Sequence, residues 1–167
     1  MENNKSYGID EVYEIEEGTT IIVSTMWDNL NVIKKDVKKV IIPNSVTKIG
    51  DNAFYEFTSL ENIKIPNTVT IIGENAFFGC ESLINIVIPN SVSTIGESAF
   101  YNCESLTKIE IPETVTTISE NMFGYCFSLT NIIIPETVTT IEGGAFWGCK
   151  FKNITIPNFV KSLTKDL

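Results

Sequence analysis

Four cysteines recur at equal intervals of 23 residues, and they are the side chains of this chain with the widest chemical repertoire. They are Cys80, Cys103, Cys126 and Cys149. If each lies on one turn of a coil, neighbouring Cα atoms are about 5 Å apart, within disulfide range. We expect buried, reduced thiols instead, because no secretion signal is seen and Phe57 holds the equivalent place in an earlier copy. A zinc site is disfavoured, since the chain has no histidine and ligands in single file do not reach tetrahedral geometry.

Acidic residues form a second column at the same interval: Asp51, Glu74, Glu97 and Glu120. Calcium binding or mimicry of a phosphate chain would use carboxylates, but a calcium site needs several oxygens that converge on one point. Each acid precedes an Ala–Phe or Met–Phe pair, which we interpret as the start of a short helical turn whose dipole favours a negative charge. Without histidine there is no Ser–His or Cys–His pair, and no glycine-rich phosphate loop occurs. We therefore expect neither catalytic residues nor a metal or cofactor.

Both columns belong to a repeat of 23 residues, which is the sequence signature of a solenoid. Its copies begin at Pro43, Pro66, Pro89, Pro112 and Pro135, and a partial copy begins at Pro157. Isoleucine or valine stands three residues and one residue before each proline, as in Ile63 and Ile65. This spacing predicts a short strand with those side chains inward, which the proline ends. Because each strand returns one repeat later, we expect parallel strands about 4.8 Å apart in a right-handed coil.

A second apolar pair stands three and six residues after each proline, as in Val69 and Ile72. Ser and Thr surround it, which predicts a second short extended segment with an outward ladder of hydroxyls. A phenylalanine follows in every full copy and predicts an aromatic stack in the core. Its members are Phe54, Phe77, Phe100, Phe123 and Phe146.

The resulting pattern, LxxIxIPxxVxxIGxxAFxxC, resembles the BspA-like leucine-rich repeat family over about residues 37–167. The resemblance implies a β-rich α/β solenoid, a right-handed leucine-rich repeat coil with parallel strands and short helical turns. Such repeats typically bind proteins, and many members lie on cell surfaces. We divide the chain into an N-terminal cap, residues 1–36, and an array of five full copies and a partial one, residues 37–167. The cap is either a hairpin or a degenerate first coil with Val23 and Met26 inward.

Charge and hydropathy exclude several classes of partner. The net charge is −9, the basic residues are all lysine, and residues 49–149 carry −10, which argues against direct binding of nucleic acid. No apolar run approaches the roughly 20 residues of a membrane span, so we expect no membrane insertion. The absence of a visible signal peptide predicts a cytoplasmic protein, or a surface or secreted one if the chain begins inside a longer protein.

Three rows of predicted outward residues are candidate binding surfaces. The strand row is Ile41, Lys64, Val87, Glu110 and Ile133, and it continues to Thr155. The amide row is Lys39, Asn62, Asn85, Lys108, Asn131 and Asn153. The aromatic row is Tyr55, Phe78, Tyr101 and Trp147, interrupted by Gly124. Aromatic side chains are enriched at binding hot spots, although these rings could equally pack sideways on neighbouring coils and be half-buried.

The favoured function is therefore a non-enzymatic module that binds another protein through the strand face or the aromatic row. A second hypothesis is a small acidic inhibitor or decoy that blocks the basic groove of a nucleic-acid-binding enzyme. A third is an architectural segment of a longer array. For the oligomeric state we expect a monomer, or a weak dimer through an exposed end of the solenoid.

Overall fold

The chain winds as a parallel-strand solenoid of about six turns. The computed structural model describes residues 11–30, 32–151 and 154–163. In chain order the strands are β1 (Val12–Glu14), β2 (Ile21–Ile22), β3 (Lys39–Ile41), β4 (Lys48–Ile49), β5 (Asn62–Lys64), β6 (Ile71–Ile72), β7 (Asn85–Val87), β8 (Thr94–Ile95), β9 (Lys108–Glu110), β10 (Thr117–Ile118), β11 (Asn131–Ile133), β12 (Thr140–Ile141) and β13 (Ser162–Leu163). Their length of two or three residues follows from the proline or turn that ends each one.

Strands one coil apart pair in parallel and in register, as the repeat predicts. The order β1-β3-β5-β7-β9-β11 forms a six-stranded sheet on one face. On another face β2-β4-β6-β8 and β10-β12-β13 form two shorter sheets. Ile63 pairs with Ile86, which stands one full repeat later in the sequence. Residues at the same position of successive repeats therefore form a row along the solenoid.

The core lies inside the coil and is built from the predicted inward residues. The phenylalanine stack runs along it, with successive ring centroids 5.1, 5.3, 5.6 and 5.9 Å apart from Phe54 to Phe146. Adjacent rings deviate from parallel by 14° or less. Around it the inward strand residues are almost fully buried, as with Ile72 at 0 % and Ile86 at 5 % exposure. The hydroxyl ladder ties neighbouring coils together, since Thr68 Oγ1 donates to the Val46 carbonyl at 2.7 Å.

The arc that carries the acidic column differs from the predicted helical turn. It is a run of tight turns, in which Ala53 N donates to the Gly50 carbonyl at 3.2 Å. Asn52 has a φ of 55° and Glu56 a φ of 59°, and residues in this left-handed region interrupt a right-handed helix. Alternate N–H groups instead bond to the next coil, as Asn52 N does to the Glu74 carbonyl at 2.8 Å. The arc is thus held between coils and not by a helix.

Within the described residues, helix occurs only in the N-terminal segment, as α1 (Thr25–Asn29) and a 3₁₀ turn (Lys34–Asp36). The first acid of the column, Asp51, bonds to the next coil instead of capping a helix. Asp51 Oδ1 accepts a hydrogen bond from Glu74 N at 3.1 Å, so a side chain of one coil satisfies the backbone of the next.

The N-terminal segment forms a degenerate coil and not a hairpin. β1 pairs in parallel with β3, and β2 pairs in parallel with β4. Its inward residues differ from the predicted pair, because Val23 is 43 % exposed and Met26 only partly buried, whereas Ile22 and Trp27 are fully buried. Trp27 ends the aromatic core, with its indole N–H donating to the Ala53 carbonyl. The boundary at residue 36 stays a prediction.

Candidate functional site

The strand row lies in one line on the outer face of the six-stranded sheet. Lys64 pairs in register with Val87, and Glu110 with Ile133. The middle residue of each strand points into the core, so the residues that flank it point outward. Ile41, Val87 and Ile133 are 41, 79 and 48 % exposed. The structure thus brings together all five predicted residues of this row, and Glu14 extends it because it pairs with Ile41.

The amide row runs beside the strand row on the same face. Asn62 pairs with Asn85, Asn85 with Lys108, and Lys108 with Asn131. Every member from Lys39 to Asn131 is exposed. Asn153 lies outside the described residues.

Two shallow grooves follow these rows and contain the residues that the sequence singles out. One has a volume of about 770 Å³ and is lined by Asn85, Val87, Lys108 and Glu110 together with turn residues that include Asn90. The other has a volume of about 580 Å³ and lies between earlier coils. Its lining includes Lys39, Ile41, Asn62 and Lys64. The strand face therefore offers concave surface with exposed aliphatic, amide and charged groups.

The aromatic row forms a second ladder of rings that are half-buried along most of its length. Tyr55 and Phe78 stack with centroids 4.9 Å apart and planes 14° apart, and Phe78 and Tyr101 stack at 4.9 Å and 12°. These three rings therefore cover each other's faces and expose mainly their edges. Trp147 at the C-terminal end is 55 % exposed. Burial, with Tyr125 nearby, raises the pKa of Tyr101.

Tyr125 continues this ladder, and the sequence reasoning missed it. Its ring lies 5.2 Å from Tyr101 and 5.2 Å from Trp147, so it fills the interruption at Gly124. A side chain at residue 124 would meet the Tyr101 ring, since a Cβ there would lie 2.7 Å from two ring atoms. The sequence does contain a signal: in the neighbouring copies an aromatic residue comes before Asn or Gly, whereas here Gly124 comes before Tyr125.

Tyr125 also adopts an unusual backbone conformation, with a φ of 58°. A bulky side chain rarely occupies this region, and its cost is of order 1–3 kcal/mol. Phe127, which is 37 % exposed, packs edge-on against Tyr125 at 5.6 Å. These residues and Trp147 form an aromatic cluster at one end of an otherwise regular row.

The cysteine column lies inside the coil, as predicted. Cys80, Cys103 and Cys126 are fully buried, and Cys149 is partly exposed. Each thiol donates to a phenylalanine carbonyl of an earlier coil, as Cys103 does to Phe77 at 3.3 Å. Burial raises the pKa of every thiol in the column, that of Cys149 to about 12. Protonated, enclosed thiols are poor nucleophiles and poor metal ligands. No group of three or more His, Cys, Asp or Glu side chains suited to a metal ion occurs among the described residues.

The repeat, its parallel register and its buried columns agree with one family. A model of the BspA-type leucine-rich repeat region matches residues 28–152 with six copies. The chain belongs to this family. Leucine-rich repeat proteins are generally not enzymes.

Solved structures of similar proteins share the fold. A leucine-rich cell surface protein from Faecalibacterium prausnitzii has 35 % identity and a TM-score of 0.80, over 93 % of this chain and 44 % of that one. A leucine-rich repeat protein from T. pallidum has 27 % identity and a TM-score of 0.74, over 83 % of this chain and 63 % of that one. This chain therefore spans 44 and 63 % of these two relatives. No curated protein matches it.

A membrane-spanning helix, long and apolar enough to cross a bilayer, is absent from residues 11–30, 32–151 and 154–163.

Proposed function

We propose that the chain is a non-enzymatic protein-binding module and that its docking surface is the strand face, meaning the strand row and the amide row. The observation that carries this proposal is Val87, an aliphatic side chain that is 79 % exposed in the lining of the 770 Å³ groove. Every outward residue of the six-stranded sheet from Lys39 to Ile133 is exposed. Burial of exposed aliphatic area by a partner stabilises a complex by about 25 cal/mol per Å².

The strand face is also suitably rigid. The inward residue of each central strand is buried in the core, and the outward residues are fixed by parallel pairing on both sides. A surface that is ordered before binding loses little conformational entropy when a partner arrives. Exposed asparagine amides beside the aliphatic groups supply donors and acceptors that can fix the position of a partner's backbone.

The aromatic row is the weaker candidate. Its first three rings already stack face to face, so a partner would meet ring edges. At its C-terminal end Trp147, together with the neighbouring Phe127, combines substantial exposure with apolar area. We therefore assign the aromatic row a mainly structural role.

A display selection tests the assignment. A library of random peptides is selected on the full chain, and each enriched peptide is measured against Val87→Glu and Ile71→Glu. Ile71 is a matched control because it is 36 % exposed and aliphatic but lies in the β2-β4-β6-β8 sheet. We expect Val87→Glu to weaken binding at least tenfold and Ile71→Glu to leave it within twofold. Enrichment only of peptides indifferent to Val87→Glu would contradict the strand face as docking surface.

Salt dependence separates this function from the acidic decoy. An interface dominated by aliphatic and amide contacts loses little affinity between low and high salt, whereas a charge-driven decoy loses it steeply. We expect the weaker dependence for binding at the strand face.

The relative from F. prausnitzii is described as a cell surface protein, which supports a surface location for a longer protein that contains this chain. The cytoplasmic location stays the alternative prediction. Protease treatment of intact producing cells separates the two, since only a surface protein is cleaved before lysis.

A further inference from the structure

The strand row alternates strictly between polar and apolar residues from one coil to the next. Its order is Glu14, Ile41, Lys64, Val87, Glu110, Ile133 and Thr155. An exposed aliphatic side chain therefore recurs on every second coil. With parallel strands about 4.8 Å apart, this repeat is about 9.6 Å along the solenoid.

A polyproline II helix has a closely similar repeat. It rises 3.1 Å per residue with three residues per turn, so the same face returns about every 9.3 Å. Over the two intervals from Ile41 to Ile133 the mismatch is about 0.6 Å. An α-helix returns a similar face about every seven residues, or 10.5 Å, and drifts by about 1.8 Å over the same distance. An extended strand repeats a face at about 6.8 Å and matches neither one coil nor two.

We propose that the strand face binds a proline-rich segment of another protein in the polyproline II conformation, laid along the solenoid axis. This inference rests on the proposed function and names its partner class. An apolar residue at every third position of the ligand contacts Ile41, Val87 and Ile133 in turn. Seven residues of such a ligand cover the distance, since six rises of 3.1 Å make about 19 Å.

The amide row supplies what the backbone of this ligand needs. A polyproline II helix makes no internal hydrogen bonds, so its carbonyls are available to donors. Asn62, Asn85 and Asn131 are exposed and lie two residues before the strand-row residue of the same strand. Their side-chain amides can donate to ligand carbonyls while the aliphatic row holds the apolar face.

Charge in the strand row sets the composition of the ligand. Lys64 lies between Ile41 and Val87, and Glu110 lies between Val87 and Ile133. A ligand that complements these charges has an acidic residue opposite Lys64 and, three residues further on, a basic residue opposite Glu110. A ligand of one charge throughout meets one like charge, which lowers affinity.

The test uses fluorescently labelled octapeptides and the full chain, with binding followed by anisotropy. The mixed peptide PPEPPKPP is compared with PPEPPEPP, PPKPPKPP and the flexible analogue GGEGGKGG. We expect the mixed peptide to bind most tightly and the glycine analogue at least tenfold more weakly, because the analogue lacks the apolar rings that contact the strand row and is not ordered in advance. Lys64→Glu should reverse the preference in favour of PPKPPKPP, since both charges between the aliphatic residues are then negative. Val87→Glu should weaken the mixed peptide at least tenfold, and Ile71→Glu should leave it unchanged.

The outcomes separate this inference from the function beneath it. Equal binding of the proline and glycine peptides, or no change of preference in Lys64→Glu, overturns the polyproline assignment. Selected peptides that depend on Val87 but lack an apolar residue at every third position also overturn it, while the strand face stays a docking surface. If no selected peptide depends on Val87, both the function and its partner class fail.

Discussion

Two aromatic ladders run side by side along this solenoid with the same period, one inside and one outside. The inner ladder, from Phe54 to Phe146, keeps the same residue in each coil, and its rings are at most 4 % exposed. The outer ladder, the aromatic row, uses Tyr, Phe and Trp and shifts by one position at Tyr125. Two adjacent positions of the same turn thus differ in how strictly the residue type is kept.

The difference between the two ladders shows that burial constrains which residues a repeat position accepts. Inside, a change of shape in one ring leaves a void or an overlap against two neighbours, because rigid coils cannot close around it. Outside, a ring with a free edge can be displaced without disturbing the coil. In the copy that begins at Pro112 the outer ladder departs from the repeat at residues 124 and 125, while Phe123 of the inner ladder is unchanged.

Replacement of a central inner ring should give the largest effect. Phe100 is fully buried and stacks on Phe77 at 5.3 Å and on Phe123 at 5.6 Å. We expect Phe100→Ala to lower the free energy of unfolding by about 3–5 kcal/mol. Tyr101→Ala, the adjacent outer position, should cost about 1 kcal/mol, since its ring is half-buried. Urea denaturation of both variants measures the difference.

Phe146→Ala is the positional control. Its ring stacks on Phe123 on one side, and on the other it meets Phe151 edge-on. In a repeat protein stability is a sum of coil and nearest-neighbour terms, so a loss near the end should cost less than one at Phe100. Equal losses in Phe100→Ala and Tyr101→Ala would show that the outer ladder is core.

The change of stability at alkaline pH tests whether the cysteine column is buried, without removing an aromatic ring. Burial raises the pKa of Cys103 well above its ordinary value of 9.0. Above about pH 9 the unfolded thiol loses its proton while the native thiol keeps it, so stability falls as pH rises. This thiol alone should contribute a slope of about 1.4 kcal/mol per pH unit.

Cys103→Ala should therefore lose less stability than the wild type between pH 8 and 10, by about 1 kcal/mol or somewhat more. Urea denaturation at the two pH values measures it, and the comparison cancels the tyrosines and lysines that titrate in both proteins. Parallel pH profiles of the two proteins would mean that the thiol is accessible in the native state.

The smallest effect is expected from restoring the outer repeat. The double change Gly124→Tyr with Tyr125→Gly returns the ring to its regular column and places glycine where φ is 58°. We expect a gain of at most about 1 kcal/mol, because relief of the left-handed tyrosine is partly offset by the Tyr101 ring, which has to move away from the new side chain at residue 124. Asn102→Gly is the control, because asparagine tolerates this region and its replacement should change stability by only a few tenths of a kcal/mol. A loss of stability in the double variant would show that contacts of Tyr125 with Phe127 and Trp147 outweigh its strain.

The strands and the core were predictable because they depend on local periodicity. The alternation of Ile63 and Ile65 predicts two inward side chains, and Pro66 predicts the end of the strand. The repeat then determines the register of each strand. The same logic placed the strand row and the amide row correctly on one face. Whether these rows bind a protein stays a prediction.

The turns and the ends were less predictable, because their conformations are set between coils. Asp51 before Ala53 and Phe54 resembles a helix start, but the left-handed Asn52 prevents one. The position of Asn52 is occupied by Asn, Ser or Gly in every full copy, which was an available signal for a turn. These residues favour turns, and Asn and Gly accept a positive φ. Trp27 was missed because it closes the core from a segment that lacks the repeat.

The hydrogen bonds between coils give the solenoid a direction of mechanical weakness. They lie along its axis, as between Gly73 N and the Ile49 carbonyl at 2.8 Å and between Gly96 N and the Ile72 carbonyl at 2.9 Å. Tension applied to the two termini therefore pulls these bonds apart lengthwise, a few at a time, starting from an end. Each coil that detaches releases 23 residues, which extend to about 76–83 Å in place of the roughly 4.8 Å that the coil occupied. Under load, such an array lengthens in discrete steps while its remaining coils stay folded.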